Sequence, residues 1–420
     1  MTRQMLMRLV GHLLVAAACA GVLLLTWAGL LRPLDNSLRD LRFAATPRGA
    51  TGSVVFVDID SQSLSSVGVW PWPRHIHADL LDAVMALGAN DVAFDVDFSV
   101  ASSPAEDAAF ASALERAGGY AHLAAFRQQK VGERAADFNL PLAQFRAFAN
   151  PVTVNVSLDP DGVVRAYPFG LTIGGQNVPS VASVFTGVSA PTGTAFSIDY
   201  SIDPHSIDRI SAADLLAGKV APERVAGKNV IIGASAVELR DYFVVPRFGA
   251  IPGALLQALA TETLKQNRSL QPTDPGPALA AILLIGALAV LGRRRLTVPI
   301  ALAGALLLSA TAEGLALWLQ GNMGLLLDTA GIHLATFALV LAVFASELVR
   351  RGEQRRKATL ERDAVRRILD RVITDNFDGV VIADSEGGIL AASQFAEQLL
   401  GRRLQGERVA GTLPGRFAKP

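Results

Sequence analysis

Long apolar runs divide the chain into lipid-seeking and water-seeking stretches. Residues 9–31 are apolar apart from His12, Thr26 and small residues, and the run exceeds the about 20 positions an α-helix needs to cross a hydrocarbon core. Residues 32–276 hold no run of that length and read as a water-soluble domain. Three more apolar runs follow at 277–292, 296–319 and 324–349; the first is short and needs flanking residues to complete a span. The pattern predicts four transmembrane α-helices bracketing one exported domain. Arg3 and Arg8 ahead of the first run also suit a cleaved signal peptide or a lipoprotein signal ending at Ala18-Cys19. Against both, the run continues through Val22-Leu23-Leu24-Leu25 without a clean small-x-small site.

Inside the domain the period changes. Val54–Ile59 is continuous and β-branched, as a parallel strand buried on both faces should be. A helical period over 78–87 follows, closed by Gly88, and residues 92–98 read as a second strand. Ser103-Pro104-Ala105-Glu106 is a capping box with proline at the first helical position, opening a helix that ends near Gly118-Gly119. Residues 121–126 make a third strand and 230–233 a later one. This order predicts an α/β domain with right-handed crossovers and a mainly parallel sheet. Residues 152–156 and 163–169, flanking Asp159-Pro160-Asp161-Gly162, add an expected antiparallel hairpin. Residues 128–144 and 187–207 show no decisive pattern.

Charge sets the orientation. Arg293-Arg294-Arg295 fills one short turn and Arg350-Arg351 follows the last run, while Gln320-Gly321-Asn322-Met323 carries no positive charge. With residues 1–8 and everything after 350 in the cytoplasm, every basic cluster lies inside. Lys and Arg total 38, as do Asp and Glu, so net charge gives no argument for nucleic acid as a partner. The single cysteine, Cys19, excludes an internal disulfide and any CxxC zinc or redox site.

Two places in the domain could carry chemistry. Asp58 and Asp60 end one strand, while Asp95 and Asp97 lie in the next. Strand carboxyl ends border the ligand crevice of open α/β sheets, so these carboxylates could converge on a cation or on hydroxyl groups. Accepting loop amides is the competing role, and their spacing fits no tight metal motif. Trp70-Pro71-Trp72-Pro73-Arg74-His75-Ile76-His77 forms a stiff aromatic loop. Trp70, Trp72, Arg74 and His75 could stack on a ligand; the favoured alternative is Arg74 latching Asp95 or Asp58, since buried charges need partners. In the membrane, Glu313 and His333 fall at similar depth across a helical hairpin and could bond, with helix packing as the favoured role. Ala17 and Gly21 form a small-xxx-small pair.

No phosphate-cradling loop, HExxH or GxSxG is present, and Gly233-Ala234-Ser235 lacks the second glycine of a nucleophile elbow. The expectation is a chain that is not itself an enzyme and carries no identifiable cofactor.

Gly68-Val69-Trp70-Pro71-Trp72-Pro73-Arg74, the block from Val92 to Ser99, Asp159 to Arg165, Gly227 to Ala234 and Ile251-Pro252-Gly253 together resemble the second class of CHASE domains, the extracellular sensors of bacterial signalling receptors. One departure is Gln257, near a place where members often carry histidine. The tail resembles the opening of a PAS domain: Val380-Val381-Ile382-Ala383-Asp384, a Ser385-Glu386-Gly387-Gly388 turn and Ile389 to Ser393, with Asn376-Phe377-Asp378 before them. Residues 350–367 then read as a signalling helix and 368–420 as a partial α+β PAS-like segment. The resemblance implies a bacterial inner-membrane receptor, dimeric, that answers an unknown extracytoplasmic ligand or protein and passes the signal to a histidine kinase or cyclic-nucleotide enzyme outside this sequence. Membrane lipid is the other expected partner, against the basic helix after the last span. The rivals are an extracytoplasmic metal-dependent enzyme using the four aspartates and a small transporter using Glu313 and His333.

Overall fold

The computed structural model describes residues 3–128, 137–292, 296–374 and 379–412. Arg293-Arg294-Arg295 and Asn376-Phe377-Asp378 lie outside the described residues. A larger compact unit comprises Ala17–Gly286 with Ala305–Phe337, and the remaining described residues form a smaller one.

Helix α1 (Arg3–Trp27) leads to α2 (Arg32–Ala45). Between Val15–Trp27 and Arg32–Ala45 the chain bends by 72°. Gly29, at φ +68°, allows this turn, because a side chain there would meet left-handed backbone strain. The sheet is built from β1 (Val54–Ile59), β2 (Val92–Phe94), β3 (Ala121–Gln128), β4 (Asp137–Asn139), β5 (Asn150–Thr153), β6 (Asp208–Ser211) and β7 (Asn229–Ala234). Its order is β6-β1-β7-β2-β3; β5 runs parallel to the early part of β3 and β4 antiparallel to its end. Every other pairing is parallel.

The central strands are buried on both faces, which is why they read as unbroken apolar runs. Phe56 and Ile231 point to a layer containing helix α6 (Gly253–Lys265). Val57 and Ile232 point to the opposite layer, made by α4 (Arg74–Ala86) and α5 (Pro104–Arg116). Ser103 caps α5 by accepting the Glu106 N–H at 3.4 Å. The capping box stays half-formed. Glu106 reaches instead to the His75 N–H at 2.8 Å, so one carboxylate serves the start of α4.

Two expected strand boundaries move. The second strand stops at Phe94, which places Asp95 and Asp97 beyond its carboxyl end. The hairpin around Asp159 is reduced to its turn and a single bridge between Ser157 and Ala166. Gly162 N–H still donates to the Asp159 carbonyl at 2.8 Å. Turn chemistry reverses the chain but does not choose the partner: Val152 is buried beside β3, and Ala166–Pro168 pairs antiparallel with Ala195–Ser197. Short antiparallel hairpins do form elsewhere, at Gly170–Ile173 with Gln176–Pro179 and at Tyr242–Val245 with Gly249–Pro252.

Val298–Met323 and Ala330–Arg367 are long and apolar enough to cross a membrane. Helix α7 (Gly276–Gly292) is apolar but shorter; α8 (Val298–Trp318) and α9 (Ala330–Thr374) carry the two longer stretches. In the smaller unit, Val381–Ala383 and Ile389–Ala392 form an antiparallel hairpin followed by helix Gln394–Leu400, with Ile389, Ala396 and Leu404 as its core.

Gly233 marks where α6 comes closest to the sheet. A Cβ there would lie 2.5 Å from Ala254 Cβ and 3.2 Å from Asp95 Cβ. Gly233→Ala is therefore expected to lower stability by about 1–3 kcal/mol through overpacking, read as a reduced thermal midpoint of the purified chain.

Candidate functional site

The carboxyl edge of the sheet gathers a row of polar groups on the α6 side. Asp58 on β1 stands in register with Gly233 on β7, and Asp95 follows Phe94, the partner of Ile232. Both carboxylates thus emerge at one level, on either side of the glycine. Asp58 is fully buried, and its Oδ2 accepts bonds from Arg209 on β6 and from Ser235 Oγ, the latter at 2.9 Å. Arg209 also donates to Ser235. The other oxygen, Asp58 Oδ1, is buried without a hydrogen-bond partner among the described residues. Burial raises the Asp58 carboxyl above the usual range, against the Ser235 bond and the pull of Arg209.

Asp95 faces a second carboxylate, Asp241. Burial raises Asp95 well above the ordinary carboxylate value, and the charge of Asp241 adds to the shift. Asp241 is raised by burial and restrained by the Gly253 amide at the start of α6. A Cβ on Gly253 would run into the Asp241 carboxylate, so glycine is required for this approach. Like charges at short range oppose double ionisation of this pair, while the N-terminus of α6 beside them favours negative charge. Next to them Tyr167 donates to Gln257 Oε1, and Gln257 Nε2 donates to the Val154 carbonyl at 2.9 Å. Gln257, on α6, is thus a buried bridge from that helix to Tyr167 and to the backbone just after β5.

The other two aspartates serve a helix start and a turn. Asp60 caps α3 (Ser61–Val67) by accepting the Ser63 N–H at 2.7 Å, and Asp97 accepts the Ser99 N–H at 2.8 Å in a turn. The structure therefore brings Asp58 and Asp95 to one edge with Arg209, Ser235 and Asp241; Asp60 is near enough for its charge to raise Asp58 but is bonded to Ser63 and to Ser211 on β6, and Asp97 is engaged in its own turn. Among the described residues no group of three or more His, Cys, Asp or Glu side chains is placed to hold a metal ion.

The tryptophan loop folds inward. Trp72 is buried and its Nε1 donates to the Gly68 carbonyl at 2.9 Å. Trp70 and Trp72 pack edge to face, and with Phe98 and Phe110 they surround His77. Arg74 bonds neither Asp95 nor Asp58: it donates to the Val100 carbonyl at 2.9 Å, lies 3.7 Å from Asp107 and covers the Phe98 ring. Asp58 is held by Arg209 instead, on the neighbouring strand, a partner that local spacing gives no means of naming. His75 Nδ1 sits 2.9 Å from Glu106 and stays on the surface.

A second polar site joins the domain to the helical hairpin. His333 Nε2 lies 2.7 Å from Glu313 Oε1. The same carboxylate takes two bonds from Arg42 on α2, at 2.9 and 3.1 Å, and one from Thr329 Oγ1 at 2.5 Å. Arg42 is buried and its third contact is the Leu327 carbonyl at 2.9 Å. Asp35 Oδ1 accepts the N–H groups of Thr329 and Ala330 at 3.0 and 2.9 Å, capping the start of α9. Arg39 pairs with Asp328 at 2.5 Å. From the body of the domain, Arg48 and Arg268 donate to the Gly321 carbonyl at 2.7 and 2.9 Å, and Arg268 is held by the buried Asp199. Gln271 and Pro272 pair with Leu325 and Leu326. The loop between α8 and α9 is thus gripped from both ends of the domain. Sequence reading found Glu313 and His333 but missed Asp35, Arg39 and Arg42, whose i, i+4, i+7 spacing is a polar stripe on one face of α2.

A three-layer α/β domain whose first helix and last strand both hold the tip of a helical hairpin is a domain built to bear on apolar helices. The CHASE2 domain family matches residues 15–292, and the chain belongs to that family, whose domains are extracellular sensors of signalling receptors. No curated protein and no solved structure matches the chain.

Arg42→Ala should destabilise the chain by about 1.5–3 kcal/mol, because Glu313 loses both guanidinium bonds and keeps only Thr329 and His333, whereas Asp35→Ala, which removes only a cap, should cost about 1 kcal/mol. Thermal unfolding in detergent micelles reads both. His77 gives a pH prediction: enclosure by rings pushes its pKa down to about 3. Its folded pKa lies below the unfolded value of about 6.5, so its contribution is complete above that pH and is lost as pH falls toward 3, at up to about 1.4 kcal/mol per unit. His77→Leu should flatten this part of the stability profile.

Proposed function

We propose that the chain is a transmembrane receptor of the bacterial inner membrane whose CHASE2 domain, residues 32–276, answers an extracytoplasmic ligand or protein and relays it inward. In this reading spans at 9–31, 277–292, 296–319 and 324–349 place both termini in the cytoplasm. The chain acts as a dimer, residues 350–367 carry the signal, and residues 368–420 open a PAS-like segment serving an output enzyme supplied beyond this sequence or by a partner. No catalytic step is assigned to the chain itself, and no cofactor.

One observation carries the reading. The loop held by Arg42, Asp35, Arg48 and Arg268 begins α9, a single helix of 45 residues, about 68 Å at 1.5 Å per residue. That exceeds the about 30 Å of a hydrocarbon core, so a shift at the loop is delivered beyond the far side. The stimulus would enter at the sheet edge, where Arg209 is half-exposed and Ser235 and Asp241 border Asp58 and Asp95. Binding need only favour one seating of the loop over another, by its differential affinity for the two. Helix α7 is short for a span and relies on its flanks or on local thinning.

Reporter fusions test the topology. A periplasm-active reporter should function after Gly187 and a cytoplasm-active one after Gly388; activity of both on one side overturns the reading.

A further inference from the structure

Helix α2 is amphipathic in an inverted sense. Its polar stripe, Asp35, Arg39 and Arg42, points inward and is consumed by the loop between α8 and α9. Phe43 enters the domain core, with its ring 6.0 Å from that of Tyr200. The side turned away from Phe43 carries Leu34, Leu38, Leu41 and Ala45, at i, i+4, i+7 and i+11. Leu34 is 57% exposed and Leu41 67%, and at the bend Trp27 and Leu30 are 77% and 65% exposed. A helix with two faces satisfied by protein has kept a third face of leucine.

The geometry says what covers it. Residues 15–27 belong to the first span of the proposed receptor, and α2 leaves that span at 72° after a short break. A helix departing a span at such an angle runs along the bilayer surface. Its domain-facing side, marked by Phe43, lies opposite the leucine stripe, so the stripe faces the lipid when the domain faces water. Arg42 also reaches Glu313, within the last turns of α8, which fixes α2 at the depth where that helix meets its outer end. We propose that the leucine face of α2 is a membrane-binding surface, seated at the boundary between headgroups and acyl chains. Trp27 suits the same level, where tryptophan is enriched. This rests on the receptor reading only in that residues 9–31 cross the bilayer. The consequence is that α2 holds lipid on one side and the start of α9 on the other, so the depth of α2 and the seating of the loop are one variable.

Spin labelling of the full chain in phosphatidylcholine and phosphatidylglycerol vesicles tests this. On a Cys19→Ser background, nitroxides are placed through Leu34→Cys and Leu41→Cys. Leu24→Cys serves as the reference within the span and Val69→Cys as the reference on the domain, both being well exposed on the protein surface. Collisions with oxygen, which concentrates in lipid, are compared with collisions with a water-soluble nickel chelate. Labels at 34 and 41 should favour oxygen several-fold over the label at 69, approaching the label at 24. Nickel access at 34 and 41 equal to that at 69 overturns the proposal. Exclusion of both reagents together with dipolar broadening between labels also overturns it, because the face is then covered by a second copy. Should position 24 itself behave like position 69, the span fails, which is a different result from failure of the α2 surface alone.

Discussion

A guanidinium taken out of water must be met on all its donor edges, and Arg42 meets that demand with atoms from three places on the helical hairpin. Glu313 supplies both oxygens, Leu327 a carbonyl and Thr329 a hydroxyl. Removing any one leaves the others with an unpaired charge or an orphaned dipole, so the group holds as a unit. This unit positions the domain on its apolar helices. The cap from Asp35 and the carbonyls held by Arg48 and Arg268 add directionality, because each aims at a particular atom of the loop rather than at a patch of surface.

The sheet edge obeys the opposite logic. Among the described residues Asp58 has partners for one oxygen and none for the other, and Asp95 stands against Asp241. These groups are costly where they are. The fold tolerates them because α6 brings its N-terminus over them, through glycines at 233 and 253 that let helix and strand approach. The large element over this edge, α6, ends at Lys265, close in sequence to Arg268 and the loop clamp.

What could be read in the sequence was what depends on neighbours along the chain. Val54–Ile59 announced a buried strand because both faces needed apolar residues, and Ser103 announced a helix start because its hydroxyl serves an amide three residues away. Partners distant in sequence stayed hidden. Asp58 is bound by Arg209 and not by the arginine of the tryptophan loop, because strand order places β6 beside β1, and that order is set by the whole sheet. The turn at Asp159 was equally visible, while the strand that Ala166–Pro168 would join was not. In the hairpin, depth arithmetic placed Glu313 and His333 together because a helix has a fixed rise. It could not reveal Arg42, which arrives from outside the membrane runs.

The joint also explains why Asp35, Arg39 and Arg42 on α2 turn inward. A surface helix ordinarily turns its charges to water and its leucines inward. Here the inward side is claimed by a loop whose carbonyls and helix N-terminus are themselves polar, so charges must point in. In the proposed receptor the leucines then point away from water, into the lipid boundary beside the bend after Trp27. On that proposal, stability at the joint and attachment at the lipid boundary are one solution to one constraint: the N–H groups that start α9 and the carboxylate in α8 need partners at the place where water gives out.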